Sequence, residues 1–326
     1  AIFASVIFAG LSVSAVADAA ALGAILIPMM AQSGYKKESS AGLIASGAII
    51  APVIPPSIPM IIFGVSSGVS ITQLFMGGIV PGIFLAFSLG VTWWLFMRKN
   101  TDLVVLERKP FLEIIKAAFD SIWALLLPIF IIVGLRFGVF TPTEAGAVAA
   151  FYALFIGMVI YRELTLKDLY KVFVSAAKST ATVMFLVAAA MVAAWLITVA
   201  NVPMAFANLL EPLIQHPLLL LFSILILVLL LGCVMDLTPL ILILTPVLMP
   251  VVKMAGIDPV YFGIIFILTG CIGLLTPPVD TVLTVTRQCG ENEIGGGIKK
   301  FMAVPLSRIN CYYLTPIDSG FGFGTP

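Results

Sequence analysis

Asp18-Ala19-Ala20-Ala21-Leu22-Gly23-Ala24-Ile25-Leu26-Ile27-Pro28 and Asp236-Leu237-Thr238-Pro239-Leu240-Ile241-Leu242-Ile243-Leu244-Thr245-Pro246 each set a carboxylate ten residues ahead of a proline, on an otherwise apolar arm. Each arm runs on to a turn, Gly34-Tyr35-Lys36 in one case and Gly256-Ile257-Asp258-Pro259 in the other. In both, 21 residues separate that glycine from a Pro-Pro pair, Pro55-Pro56 and Pro277-Pro278. Two matching spacings, with one four-residue insertion between them, read as a unit used twice. A Pro-Pro kink alone is commonly structural. A pair of breaks at corresponding positions is the mark of a binding site in repeated membrane folds.

The composition fits a membrane chain. Of 326 residues, 61% are apolar and 10% charged, against about 45–50% and 25% in soluble domains. The apolar runs are continuous rather than alternating, so helices are expected and a barrel is not. A net charge of +1 gives no reason to invoke nucleic acid. Cys233, Cys271, Cys289 and Cys311 have no paired spacing, and His216, the lone histidine, reads as solvated in an outer loop. Metal and disulfide readings are therefore weak. No cleavable leader is visible, and Ala1 in place of a methionine reads as the start of a fragment.

Spans of about 20 apolar residues are predicted at 41–63, 74–97, 119–138, 143–161, 180–200, 217–235 and 260–286, with shorter arms at 1–10, 19–31 and 237–252. Loops are expected at 34–40, 65–73, 98–118, 139–143, 162–178, 201–216 and 253–259. Fifteen of the 17 basic residues fall in 34–40, 98–118, 162–178 and the tail. The positive-inside rule puts these four segments in the cytoplasm. For the crossings to alternate, 1–31 and 217–252 must each enter and return on one side. Five full crossings separate the two copies, so they face opposite ways. The predicted division is 1–64 for the first hairpin and broken helix, 65–178 for intervening helices, 179–286 for the second unit, and 287–326 for a cytoplasmic tail.

The breaks carry the chemistry. Proline lacks an amide hydrogen and clashes with the carbonyl four residues before it, so neither 51–59 nor 273–278 continues as intact helix. Each freed carbonyl costs several kcal/mol in hydrocarbon unless a cation, water or neighbouring helix satisfies it. Ser57 and Thr276 add hydroxyls beside the breaks. The hairpin tips add Ser12, Ser14 and Asp18 in one copy, and Gly232, Asp236 and Thr238 in the other. Oxygen ligands without histidine or thiolate suit an alkali cation rather than a transition metal. The plainer alternative is that each aspartate caps its returning helix. Arg136 and Glu144, flanking Phe140-Thr141-Pro142-Thr143, are expected to form a structural ion pair. Asp280, after the second Pro-Pro pair, has no counterpart at Ile58. Two further classes fit the residues poorly. An intramembrane di-aspartyl protease would use Asp18 and Asp236, but wants Tyr-Asp and Gly-x-Gly-Asp on intact helices. A nucleotide-driven pump wants a Gly-x-x-x-x-Gly-Lys-Ser/Thr loop, which is absent.

Five stretches in order, 12–23, 54–59, 140–145, 236–239 and 273–278, resemble the large membrane (permease) subunit of tripartite ATP-independent periplasmic (TRAP) transporters, with likeness running to about residue 306. The resemblance implies an all-α, multi-pass, inverted-repeat elevator-type transporter of the bacterial inner membrane, with two re-entrant hairpins and two broken helices. It implies sodium symport of an organic acid, a small four-helix membrane subunit, a periplasmic substrate-binding protein, and no organic cofactor or enzymatic activity. Carried over by motif, the sodium sites fall at Ser12, Ser14, Asp18, Pro55, Ser57, Gly232, Asp236, Thr238, Thr276 and Pro277. The anion is expected beside them, at Pro56, Ser57, Thr276 and Pro278, held by amides and hydroxyls because both tips and breaks lack arginine. Val13 and Asp280 replace glycines usual in the family. The family has further helices before the first tip, and here the polar run after Leu306 stands where a span belongs. Both ends thus read as altered, by truncation or a frameshift, with an inactive remnant as the consequence to test.

Overall fold

The computed structural model describes residues 1–12, 14–98, 110–209, 215–276 and 281–290. It is an all-α membrane protein. The first unit holds α1 (Ile2–Ser12), α2 (Ala15–Gln32), α3 (Lys37–Ala48) and α4 (Ile58–Ser67). Then come α5 (Ile71–Met97), α6 (Phe111–Asp120), α7 (Ile122–Arg136), α8 (Pro142–Phe155, with a wider turn over Ile156–Ile160), α9 (Leu166–Val199) and α10 (Val202–Leu209). The second unit holds α11 (Pro217–Gly232), α12 (Leu237–Met254), α13 (Pro259–Gly273) and α14 (Thr281–Gly290). Among the described residues, five helices have the length and apolar composition to cross a membrane: α2, α5, α8 with its wider turn, α9 and α12.

The two units have the same internal packing and trade their last pieces. In each, the outgoing arm lies on the returning arm and on the helix before the break: α1 on α2 and α3, α11 on α12 and α13. The helix after each break leaves its own unit. α4 packs against α12 of the second copy, and α14 packs against α2 of the first. The core sits where the copies meet, and Phe63 of α4 and Phe262 and Phe266 of α13 are fully buried there, with ring centroids 5.7 to 6.3 Å apart. α5 covers the first break, and its Gly78 lies so close to the Val53 carbonyl that a Cβ would stand 2.6 Å from that oxygen.

The expected spans at 41–63 and 260–286 are each two helices, separated at the proline-bearing stretches. Four expected loops are shorter than predicted. α3 starts at Lys37, α6 occupies 111–120, α9 begins at Leu166, and α10 occupies 202–209. α6 is too short, at ten residues, to read as a span of about 20 apolar residues. The start of α9 is fixed by Thr165, whose hydroxyl accepts the Asp168 amide at 3.3 Å. At 34 residues α9 is ~50 Å long at about 1.5 Å per residue, so its basic first turns stand beyond the hydrocarbon.

The Arg136–Glu144 ion pair does not form. Glu144 closes a capping box at the start of α8, accepting the Thr141 amide and hydroxyl, each at 2.8 Å. With both capping bonds made, its carboxylate is held in the first turn of α8. Arg136 is exposed in the last turn of α7, where a cation favours the helix dipole. Val13, Pro277, Pro278, Asp280 and the tail after Gly290, with the change of frame expected near Leu306, lie outside the described residues.

Candidate functional site

The tips and breaks converge on one cavity of about 250 Å³. Ser14, Ala15 and Val16 line it from the first tip, and Asp236, Leu237 and Thr238 from the second. Pro52, Ile58 and Pro59 contribute the first break and Leu274 the edge of the second. Val183 of α9 completes the wall.

Three helices start at this cavity, α2, α4 and α12, with Ser14, Ser57 and Asp236 as their N-caps. The Ser14 hydroxyl accepts the Ala17 amide at 3.5 Å. Ser57 is fully buried; its hydroxyl accepts the Met60 amide at 3.3 Å and donates to the Pro52 carbonyl. It therefore caps α4 and ties off an oxygen that the break exposes. Asp236 occupies the cap position of α12 without a capping hydrogen bond from its side chain, and it is exposed to the cavity. The cavity thus receives three helix starts, each with a partial positive charge, and Leu274 from the turn that ends α13.

The remaining expected residues have definite places. Asp18 is fully buried one turn inside α2. Ser12 is the last residue of α1. Pro55 is buried and Pro56 half-buried in the non-helical link 49–57. Gly232 ends α11 and packs backbone to backbone on Gly273, where a Cβ would lie 2.8 Å from the Gly232 carbonyl carbon. Thr276 is half-buried and donates to the Ile272 carbonyl at 2.9 Å. Pro277 and Pro278 are among the residues not described. Ser14, Asp236 and Thr238 are brought together at the cavity; Asp18, Gly232 and Ser57 stand behind it. Among cavity residues, sequence reasoning named no role for Val16, Pro52, Pro59, Leu274 or Val183. Pro52 and Pro59 fall inside the quoted break, whereas nothing in the pattern around Val183 points to a tip 53 residues away.

Two copies of one unit, exchanging half-helices around a cavity at their tips, have the build of a secondary transporter. The family model of the tripartite ATP-independent periplasmic transporter, DctM component, matches residues 1–309. The chain is 56% identical to the 2,3-diketo-L-gulonate TRAP transporter large permease protein of Escherichia coli, across 87% of this chain and 67% of that protein. It is 38% identical to the sialic acid TRAP transporter large permease protein of Vibrio cholerae, across 89% and 68%. It is 36% identical to the C4-dicarboxylate TRAP transporter large permease protein of Pseudomonas aeruginosa, across 96% and 73%. The chain belongs to this family as a TRAP large permease subunit.

Proposed function

We propose that this chain carries an organic acid anion inward across the bacterial inner membrane, coupled to sodium, with a periplasmic binding protein delivering the substrate and a small membrane subunit beside it. The observation that carries this reading is the shared cavity: both tips and the first break open onto it, with the Asp236 carboxylate at a helix start and free of a capping bond. The named relatives act on 2,3-diketo-L-gulonate, sialic acid and C4-dicarboxylates, and all are acids.

The donor set fits an alkali cation. Asp236 offers a carboxylate and Thr238 a hydroxyl, with no nitrogen or thiolate ligand among the described residues that line the cavity. When bound, sodium supplies the positive charge that offsets this carboxylate. The Ala15 and Val16 amides at the start of α2 and the Ile58 amide at the start of α4 then attract a substrate carboxylate, since Pro59 has no amide hydrogen and the Ala17 and Met60 amides are held by their caps. Ser57 keeps the Pro52 carbonyl from competing for those donors. In this reading the hairpin units move as a body against the intervening helices. The two aspartates have unlike surroundings, one buried and one at the cavity, which does not favour a shared-proton protease pair.

The test is uptake of labelled acids by proteoliposomes holding this chain with its small subunit and binding protein. An inward sodium gradient drives accumulation, and an equal potassium gradient does not. Accumulation indifferent to sodium removes the coupling; none under any gradient removes the transport reading.

A further inference from the structure

Most of the cavity wall is generic. Helix starts at Ser14, Ile58 and Asp236 present amides and dipoles that treat one carboxylate like another. The cavity is also lined by a side chain on α9, a helix belonging to neither tips nor breaks. α9 sets Val187 and Ala190 against the core, and Val183, four residues before Val187, lies on the same face. Val183 is the part of this face that lines the cavity.

We propose that Val183 is a specificity-determining residue: its two methyl groups limit the length and bulk of the acid that fits between the tips and α9. The inference rests on the transport reading and names the residue that selects among its substrates. A hydrophobic wall discriminates by volume, and one methylene more or less changes kcat/KM by about 10- to 200-fold. α9 has no buried residue, so substitution at Val183 leaves the core intact.

The experiment has two arms, both on the full complex with its small subunit and binding protein in proteoliposomes. The first needs no transport. Val183→Cys is treated with a membrane-impermeant methanethiosulfonate, with Val187→Cys, one turn along and off the cavity, as control. Reaction at least about tenfold faster at position 183, slowed by adding the transported acid, is expected; equal rates at both positions overturn the placement. The second arm compares Val183→Ala, Val183→Phe and the parent on straight-chain carboxylates of increasing length. Val183→Ala shifts the kcat/KM ratio toward the longer acid, and Val183→Phe toward the shorter, each by about tenfold or more. Unchanged ratios overturn the specificity role while sodium-driven uptake stands. A parent complex without sodium-driven uptake fails the earlier reading instead, and that outcome is visible separately.

Discussion

The first tip and the second descend from one sequence pattern and end up differently. In the first, the returning helix α2 begins at Ala15, so Asp18 lies a turn inside it and is fully buried. In the second, α12 begins at Leu237, so Asp236 is left at the cap and open to the cavity. The register differs by one helical turn, and local chemistry explains it. Ser14 can cap a helix; the corresponding residue of the second copy, Gly232, has no side chain to do so. Pro239, in the place of Ala21, falls in the first turn of α12, where its missing amide costs no helical hydrogen bond. The lesson is that a twofold repeat conserves the position of a carboxylate along the chain while changing what it faces.

The most severe disruption of this comparison is expected at the tip–break contact. Gly273→Ala drives a Cβ into the Gly232 main chain, 2.8 Å from its carbonyl carbon, at a cost of about 1–3 kcal/mol or more for overpacking. The first copy carries Ala51 at that position, so Ala51→Gly is mild. Melting temperatures of the purified complexes check the asymmetry, and equal losses contradict it.

Next come the aspartates. Asp236→Asn is expected to raise the sodium concentration for half-maximal uptake at least about tenfold, since a tenfold change is only 1.4 kcal/mol, with melting unchanged in the absence of sodium. Asp18→Ala, by emptying a buried site, lowers melting itself. If both substitutions moved only melting, the tips would be structural.

Ser57→Ala removes a cap and leaves the buried Pro52 carbonyl without its partner, for about 1–3 kcal/mol; Ser14→Ala loses a longer cap bond and about 1 kcal/mol. Denaturant or thermal titration ranks the two. Smallest of all is Thr245→Val. Its hydroxyl is buried with no hydrogen-bond partner among the described residues, and Ile27 fills that place in the first copy. Removing an unsatisfied group of like shape is expected to leave stability equal or slightly raised.

The breaks, the tips and the helical class were legible because proline and glycine act locally and recur at fixed spacings. The cavity's α9 wall was not, because Val183 arrives through tertiary packing of α9 on α12. α6 and α10 escaped because a window sized to a membrane passes over helices of 10 and 8 residues. The Arg136–Glu144 pairing failed for a different reason: opposite charges nearby in sequence suggested attraction, while the Thr141 cap held Glu144 in the first turn of α8. The register shift between the tips lies in the caps, Ser14 in the first copy against Gly232 in the second, which the spacing from carboxylate to proline does not record.

We propose that oxygens gathered by the second tip hold sodium. The most direct test is the thermal stability of the purified complex titrated with sodium chloride at constant ionic strength, using choline as the replacement. A ligand that binds only the folded state stabilises by RT ln(1 + [L]/Kd). The parent complex should therefore melt higher with each increment of sodium, and Asp236→Asn should need at least about tenfold more sodium for the same rise. A sodium-dependent rise of equal size in the two proteins would place the ion elsewhere.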